Sequence, residues 1–358
     1  MRRVIALLAL ILTAACSQGA GNPVAHVTAS PSQPASPSQP ASPSLLSSPD
    51  PTLSAVPLPS AFPDLPLTKV AFSCRLPIYS HQGEATIVDS FISFPANTAT
   101  VDPNGKGGMY YDRAYSRWLP VARSGVSPDG AGYAYVDFTQ TEYVLHVVGV
   151  VSGKDLTIHF TNGNGPSAPP IVLDYSADGI YLVQAFEHLL AGLWLLDPST
   201  GSVRQVSKDI YPVRSAGGGV IWAQLVNPAD PSPVDTGTSV GTLPDEIDRV
   251  DLRGGSQTMW RYKPGSGLGV VGLDAQGHPL MVSELWGGAD SNAELSIVSA
   301  PGSSRLIYKG WLVQTLAGGI TDSHGVWFGS PQGIYLYSEA DGLRKVSNTP
   351  AVPANGCL

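Results

Sequence analysis

A short pattern of turn and strand returns five times along this chain and restricts its folds more than any other feature. Ser127-Pro-Asp-Gly130 stands before Tyr133-Ala-Tyr-Val136, and Ser176-Ala-Asp-Gly179 before Ile180-Tyr-Leu-Val183. Gly217-Gly-Gly219 precedes Val220-Ile-Trp-Ala223, Asp274-Ala-Gln-Gly277 precedes Pro279-Leu-Met-Val282, and Asp322-Ser-His-Gly325 precedes Val326-Trp-Phe328. Aspartate folds back on its own backbone and glycine accepts a positive φ, so each four-residue piece is a tight turn feeding an apolar strand. Successive turns lie 40 to 58 residues apart.

A second element follows each of these as a hairpin. Leu193 to Asp197 passes through Gly201 into Val203 to Val206, and Ile334-Tyr-Leu-Tyr337 passes through Asp341-Gly342 into Leu343 to Val346. Comparable hairpins surround Gly153, Gly254 and Gly302. Sustained helical periodicity is missing after Leu67, and the short runs rich in Val, Ile, Tyr and Trp read as strands. Four strands per unit at this period define an all-β fold, a β-propeller. One further unit precedes Val121, with Ser90–Phe94 as its inner strand and Met109–Arg113 with Trp118–Val121 as its hairpin. The count is therefore six four-stranded blades, with seven as the alternative. Val70 to Cys74 remains as an extra strand, expected in the sixth blade beside the C-terminal residues.

Composition agrees with this assignment. Of 358 residues 43% are hydrophobic and only 13% charged, and 39 glycines and 32 prolines supply turn chemistry. A net charge of −8 repels nucleic acid and anionic lipid headgroups alike, so neither is an expected partner. Residues 16–66 are dominated by Ser, Pro and Ala, with Ala29-Ser-Pro-Ser-Gln-Pro34 repeated at once as Ala35-Ser-Pro-Ser-Gln-Pro40. Such a segment buries too little apolar surface to fold and reads as a disordered tether, extended by its prolines. The globular part is 67–358, expected as a monomer.

Ser127-Pro-Asp-Gly-x-x-Tyr-Ala-Tyr135 resembles the strand signature of periplasmic propellers related to the Tol system. Asp322-Ser-His-Gly-Val-Trp-Phe-Gly-Ser330 with Gly333-Ile-Tyr-Leu-Tyr337 resembles the repeat of two-component-regulator propellers. At the other end, Arg2 and Arg3, the apolar run Val4–Leu12 and the small residues before Cys16 resemble the lipobox of bacterial lipoproteins. That resemblance implies a signal peptide over 1–15, acylation (palmitate among the chains) of Cys16, and a lipid-anchored protein on the extracytoplasmic side of a bacterial cell membrane. The apolar run is too short to span a bilayer. Lipid on Cys16 leaves Cys74 and Cys357 as a pair, and an oxidising exterior favours their disulfide.

Few residues carry chemistry. Asp322 and His324 are similar in placement to the acid and histidine of propeller lyases near the central axis, although an Asp-x-x-Gly turn accounts for both. The longest interruption, Asn227 to Asp248, gathers Asp230, Asp235, Asp245, Glu246 and Asp248, and long propeller loops often form binding rims. Those carboxylates lack the spacing of a compact calcium loop, and the histidines lack metal-ligand spacing, so neither metal nor cofactor is expected. Thr161-Asn-Gly-Asn-Gly165 is a second rim candidate. No catalytic residue is assigned. The favoured reading is a surface-tethered, non-catalytic propeller that binds a protein, peptide or glycan or scaffolds an envelope complex. The alternative is an extracytoplasmic hydrolase or lyase with its site in the central channel; an assembly factor of the Tol type is a third.

Overall fold

Alternation along the repeated strands decides the architecture. In the computed structural model, Val326 and Phe328 of the strand Gly325–Ser330 face one neighbouring sheet while Trp327 faces the other. The next strand, Gly333–Ser338, divides Tyr335 and Tyr337 from Ile334 and Leu336 in the same way. Both faces of each sheet are therefore buried, which explains why the strands read as nearly unbroken apolar runs. The structure describes residues 65–82, 86–138, 142–160, 170–184, 192–208, 211–227, 233–235, 240–242, 244–285 and 293–358. Cys16, the expected signal peptide (1–15), residues 17–64 of the expected tether and Thr161–Gly165 lie outside them.

The residues from Phe62 to Leu358 form one compact unit. Its strands make six blades. Blade 3 holds Pro170–Ser176, Gly179–Gln184, Leu193–Leu196 and Val203–Ser207 from inside outward, all antiparallel. Blade 4 holds Tyr211–Gly217, Val220–Leu225, Glu246–Asp251 and Ser256–Tyr262. Blade 5 runs from Ser266–Leu273 through Pro279–Leu285 and Glu294–Ala300 to Ser303–Lys309. Blade 6 runs from Ala317–Asp322 to Gly342–Ser347. In blade 2 the strands Gly132–Phe138, Tyr143–Gly149 and Asp155–Phe160 are regular, and the inner strand shrinks to a single bridge from Val126 to Tyr133.

The turns behave as their residues dictate. Gly179 and Gly325 adopt φ of +130° and +134°, and a Cβ at either would sit 2.5 Å from the Leu196 carbonyl oxygen or 2.0 Å from that of Tyr337. Only glycine lets the second strand begin that close to the third.

Blade 1 differs from the sequence expectation. Its inner strand is Val352–Pro353, followed outward by Cys74–Gln82, Thr86–Phe94 and Thr98–Val101. Phe91 thus stands on the third strand and not the inner one, and Val70–Ser73 forms no strand. The C-terminal residues complete the first blade, while Leu67 bridges the outer strand of blade 6 at Lys345. The hairpin Tyr110–Asp112 with Arg117–Leu119 forms its own two-stranded sheet between blades 1 and 2. Tyr111 and Trp118 meet Phe91 of blade 1 on one side, and Tyr110 and Leu119 meet Val126 and Val150 of blade 2 on the other.

The core is correspondingly a series of junctions between adjacent blades. Trp222 and Ile247 of blade 4 pack on Leu268, Met281 and Val298 of blade 5, and Trp327 of blade 6 packs on Ile78 and Ile92 of blade 1. Trp222 and Trp327 are packing residues in these junctions. Cys74 and Cys357 are joined at the last junction, with a Cα–Cα distance of 5.5 Å.

Candidate functional site

Asp322 and His324 do meet, at a brace that the Asp322 carboxylate builds. One Asp322 oxygen accepts hydrogen bonds from the indole Nε1 of Trp327 at 2.9 Å and from the Cys357 amide at 2.7 Å; the other accepts from the His324 amide at 2.7 Å. His324 Nδ1 lies 3.4 Å from that second oxygen, and its ring stacks on Phe72 with centroids 4.1 Å apart. The nearby sulfur of Cys357 belongs to the disulfide, so this trio offers no thiolate to a metal. A carboxylate already occupied by three protein donors is a structural acceptor.

The acidic residues at the end of the insert form a separate constellation, with Asp245 and Asp248 buried and Glu246 partly exposed. Strand Glu246–Asp251 places Glu246 and Asp248 two residues apart and therefore on one side, while Asp245 just before it is fully buried. Asp245 accepts from the Asn227 amide at 3.0 Å, and the Asn227 side chain donates to Glu246 at 2.7 Å. Gln257 donates to one oxygen of Asp248 at 2.8 Å; the other oxygen is buried without a donor among the described residues. Burial, and then the Asp248 carboxylate beside it, hold the Glu246 carboxyl above its ordinary range. Two carboxyl groups thus stand side by side, one raised by its surroundings and the other with an oxygen that no donor reaches among the described residues.

Cations stand close by. The Lys263 amide donates to the Asp245 carbonyl at 2.9 Å, and its ammonium donates to Ser283 at 3.0 Å and to Glu294 at 2.6 Å. Lys309 also reaches Glu294, at 3.2 Å, and the Lys263 hydrogen bond is the main cause holding Glu294 below the usual carboxylate range. In the chain between the strands Val220–Leu225 and Glu246–Asp251, Pro233–Asp235 and Val240–Thr242 form a small ribbon. Asp230 lies outside the described residues.

On the innermost strands, Asp174 accepts from Ser215 at 2.7 Å, and burial raises its carboxyl. Arg214 crosses from blade 4 to donate to the Val271 carbonyl of blade 5 at 3.1 Å and the Gly319 carbonyl of blade 6 at 2.9 Å. Burial pushes the Arg214 guanidinium down to about 10, which leaves it charged at neutral pH. The described histidines lie elsewhere: His146 pairs with Asp155 at 2.8 Å, His159 with Glu142 at 3.0 Å and His278 with Asp274 at 2.9 Å.

No family model matches the chain, and no curated protein matches it. Solved structures do. TolB from Acinetobacter baumannii is 16% identical, with 76% of this chain aligned to 65% of that one at a TM-score of 0.39. The β-propeller domain of the Trilobed protease from Pyrococcus furiosus, described as having an open velcro topology, is 12% identical over 78% of this chain and 86% of its own, at 0.40. A prolyl endopeptidase is 15% identical over 77% of this chain and 48% of its own, at 0.46. The likeness is one of fold.

Proposed function

We propose that this chain is a non-catalytic binding propeller, held outside the cytoplasmic membrane by lipid on Cys16, that docks a protein or peptide partner on the blade 4 rim. The observation that carries the reading is the Glu246–Asp248 pair, two adjacent carboxyl groups with one Asp248 oxygen unpartnered among the described residues, where the longest insertion returns to its blade. Such a pair is poised for a cationic group of a partner, because an arriving ammonium or guanidinium favours the ionised Glu246 that burial and Asp248 disfavour. Lys263, whose amide is bonded to the Asp245 carbonyl, and its partner Glu294 in blade 5 add mixed polar character on the adjoining strands.

Crosslinked pulldown from intact cells tests this reading. Wild type is compared with Glu246→Gln plus Asp248→Asn, and with a chain in which residues 228–243 are replaced by two glycines. Both variants keep Asn227 and Asp245, which hold the strand end. Loss of one or more partners from both variants is expected; partner sets identical to wild type would remove the rim from consideration.

A further inference from the structure

A second constellation, far from blade 4 in sequence, has the makings of a ligand site. Between blade 1 and the wedged hairpin lies a cavity of about 690 Å³, bordered by Arg75, Lys106, Arg117, Phe91, Trp118 and Asp102. Three cations converge there in a chain whose net charge is −8. We propose that this cavity binds a carboxylated sugar, a uronic acid, with its ring against Trp118 and its carboxylate between Arg75 and Lys106.

The walls are built and held. Asp89, only 2% exposed, accepts the amides of Lys106, Gly107 and Gly108 at 2.8, 2.9 and 2.9 Å, which wraps that loop around one carboxylate. A Cβ on Gly105 would stand 2.6 Å from the Asp89 Cβ, and one on Gly108 would stand 2.7 Å from the Trp118 Cβ. The loop that carries Lys106 is therefore set against the cavity by a buried acid and two close backbone approaches. Trp118 is fixed likewise, its Nε1 donating to Asp102 at 2.9 Å and its ring meeting Tyr111 edge-on at 5.2 Å.

Basic side chains outnumber carboxylates on the cavity wall, three to one. Asp102, the cavity's carboxylate, spends one oxygen on Trp118 and the other on the Asn104 amide at 3.0 Å. Among the described residues no carboxylate lies within 4.0 Å of Arg75, Lys106 or Arg117; Arg75 instead rests on the Phe91 ring, 3.5 Å from its centroid, and Arg117 donates to the Val150 carbonyl. An anion entering here meets three basic side chains against the single Asp102 carboxylate, whose oxygens are already engaged by Trp118 and Asn104. The aromatic wall narrows the class further, because a bare inorganic anion uses the cations and leaves the rings idle. A pyranose has an apolar C–H face for an indole and a carboxylate for the basic pair, and the volume suits one or two such rings.

Calorimetric titration of D-glucuronate into the full chain tests the site, with glucose and inorganic phosphate as separate titrants. Saturable glucuronate binding is expected, with glucose and phosphate each weaker by about tenfold or more, since a charge-assisted contact and a stacked ring are each worth roughly that factor. Lys106→Ala, whose exposed side chain makes no contact needed for folding, and Arg75→Gln are each expected to weaken glucuronate about tenfold. Phosphate or glucose binding as tightly as glucuronate would overturn the assignment. So would an affinity unmoved by both substitutions, or no saturable heat.

Discussion

At the scale of single residues, Asp322 and Glu246 are both partly shielded acids, and their surroundings give them opposite duties. Asp322 accepts from the buried Trp327 indole and from the Cys357 amide, so Asp322→Ala strands both donors. An unpaired buried donor costs about 1–3 kcal/mol, and a substantial drop in thermal midpoint is expected, whereas His324→Ala should move it little. Equal effects from the two would make His324 part of the brace. Glu246 is the pH-sensitive member. Below about 4.5 its carboxyl holds a proton in folded and unfolded chains alike. As pH rises from there to the raised folded value, the folded chain keeps a proton that the unfolded chain has released, and stability falls across that window. Asp89 and Asp174 are raised as well, so the informative quantity is a difference. Glu246→Gln should gain on wild type over the window and then hold a constant margin; parallel stability curves would contradict a raised Glu246 carboxyl.

At the scale of elements, the seam of the ring is where most bonds converge. Ala354 donates to the Pro77 carbonyl and accepts from Tyr111, Asn355 donates to the Tyr111 carbonyl, Arg113 donates to the Cys357 carbonyl, and Leu358 donates to that of Arg75. One short tail thus ties together blade 1, blade 6 and the hairpin. The disulfide across 283 residues of sequence adds about 5–6 kcal/mol on the chain-entropy model. Cys357→Ser is expected to lower denaturant stability by several kcal/mol with the β-rich circular dichroism spectrum retained, and an unchanged midpoint would mean that the seam's hydrogen bonds already suffice. Blades 2 to 6 were legible in the amino-acid order because each keeps its strands consecutive and both faces buried, so turns such as Ser176–Gly179 punctuate apolar runs. Blade 1 was not, since its inner strand is the two-residue Val352–Pro353 and carries no periodicity of its own. The three-residue strands of the Tyr110–Leu119 hairpin look like any blade hairpin; only the rings of Phe91, Tyr111 and Trp118 reveal a wedge.

At the scale of the whole molecule, location and activity are separate questions. Cys16→Ser is expected to move the protein from the membrane fraction to the soluble one with its thermal unfolding unchanged, and a variant that stays membrane-bound would discard the lipid anchor. The acidic rim was visible as a cluster of residue types at Asp245, Glu246 and Asp248. Its geometry was not, because that depends on burial and on Asn227 arriving from the neighbouring strand's end. Asp89 was invisible for a similar reason, its three donors lying 17 to 19 residues away with no pattern to mark them. The order in which the ring is completed has a temporal consequence. Val352 follows Val101 by 251 residues, so a chain threaded outward from its N-terminus presents blade 1 long before the strand that fills its inner edge. Throughout that interval the edge of Cys74–Gln82 is free to pair with whatever strand passes. Covering that edge during synthesis is therefore expected to raise the yield of folded chain, measurable as the soluble fraction when a peptide of residues 350–358 is supplied.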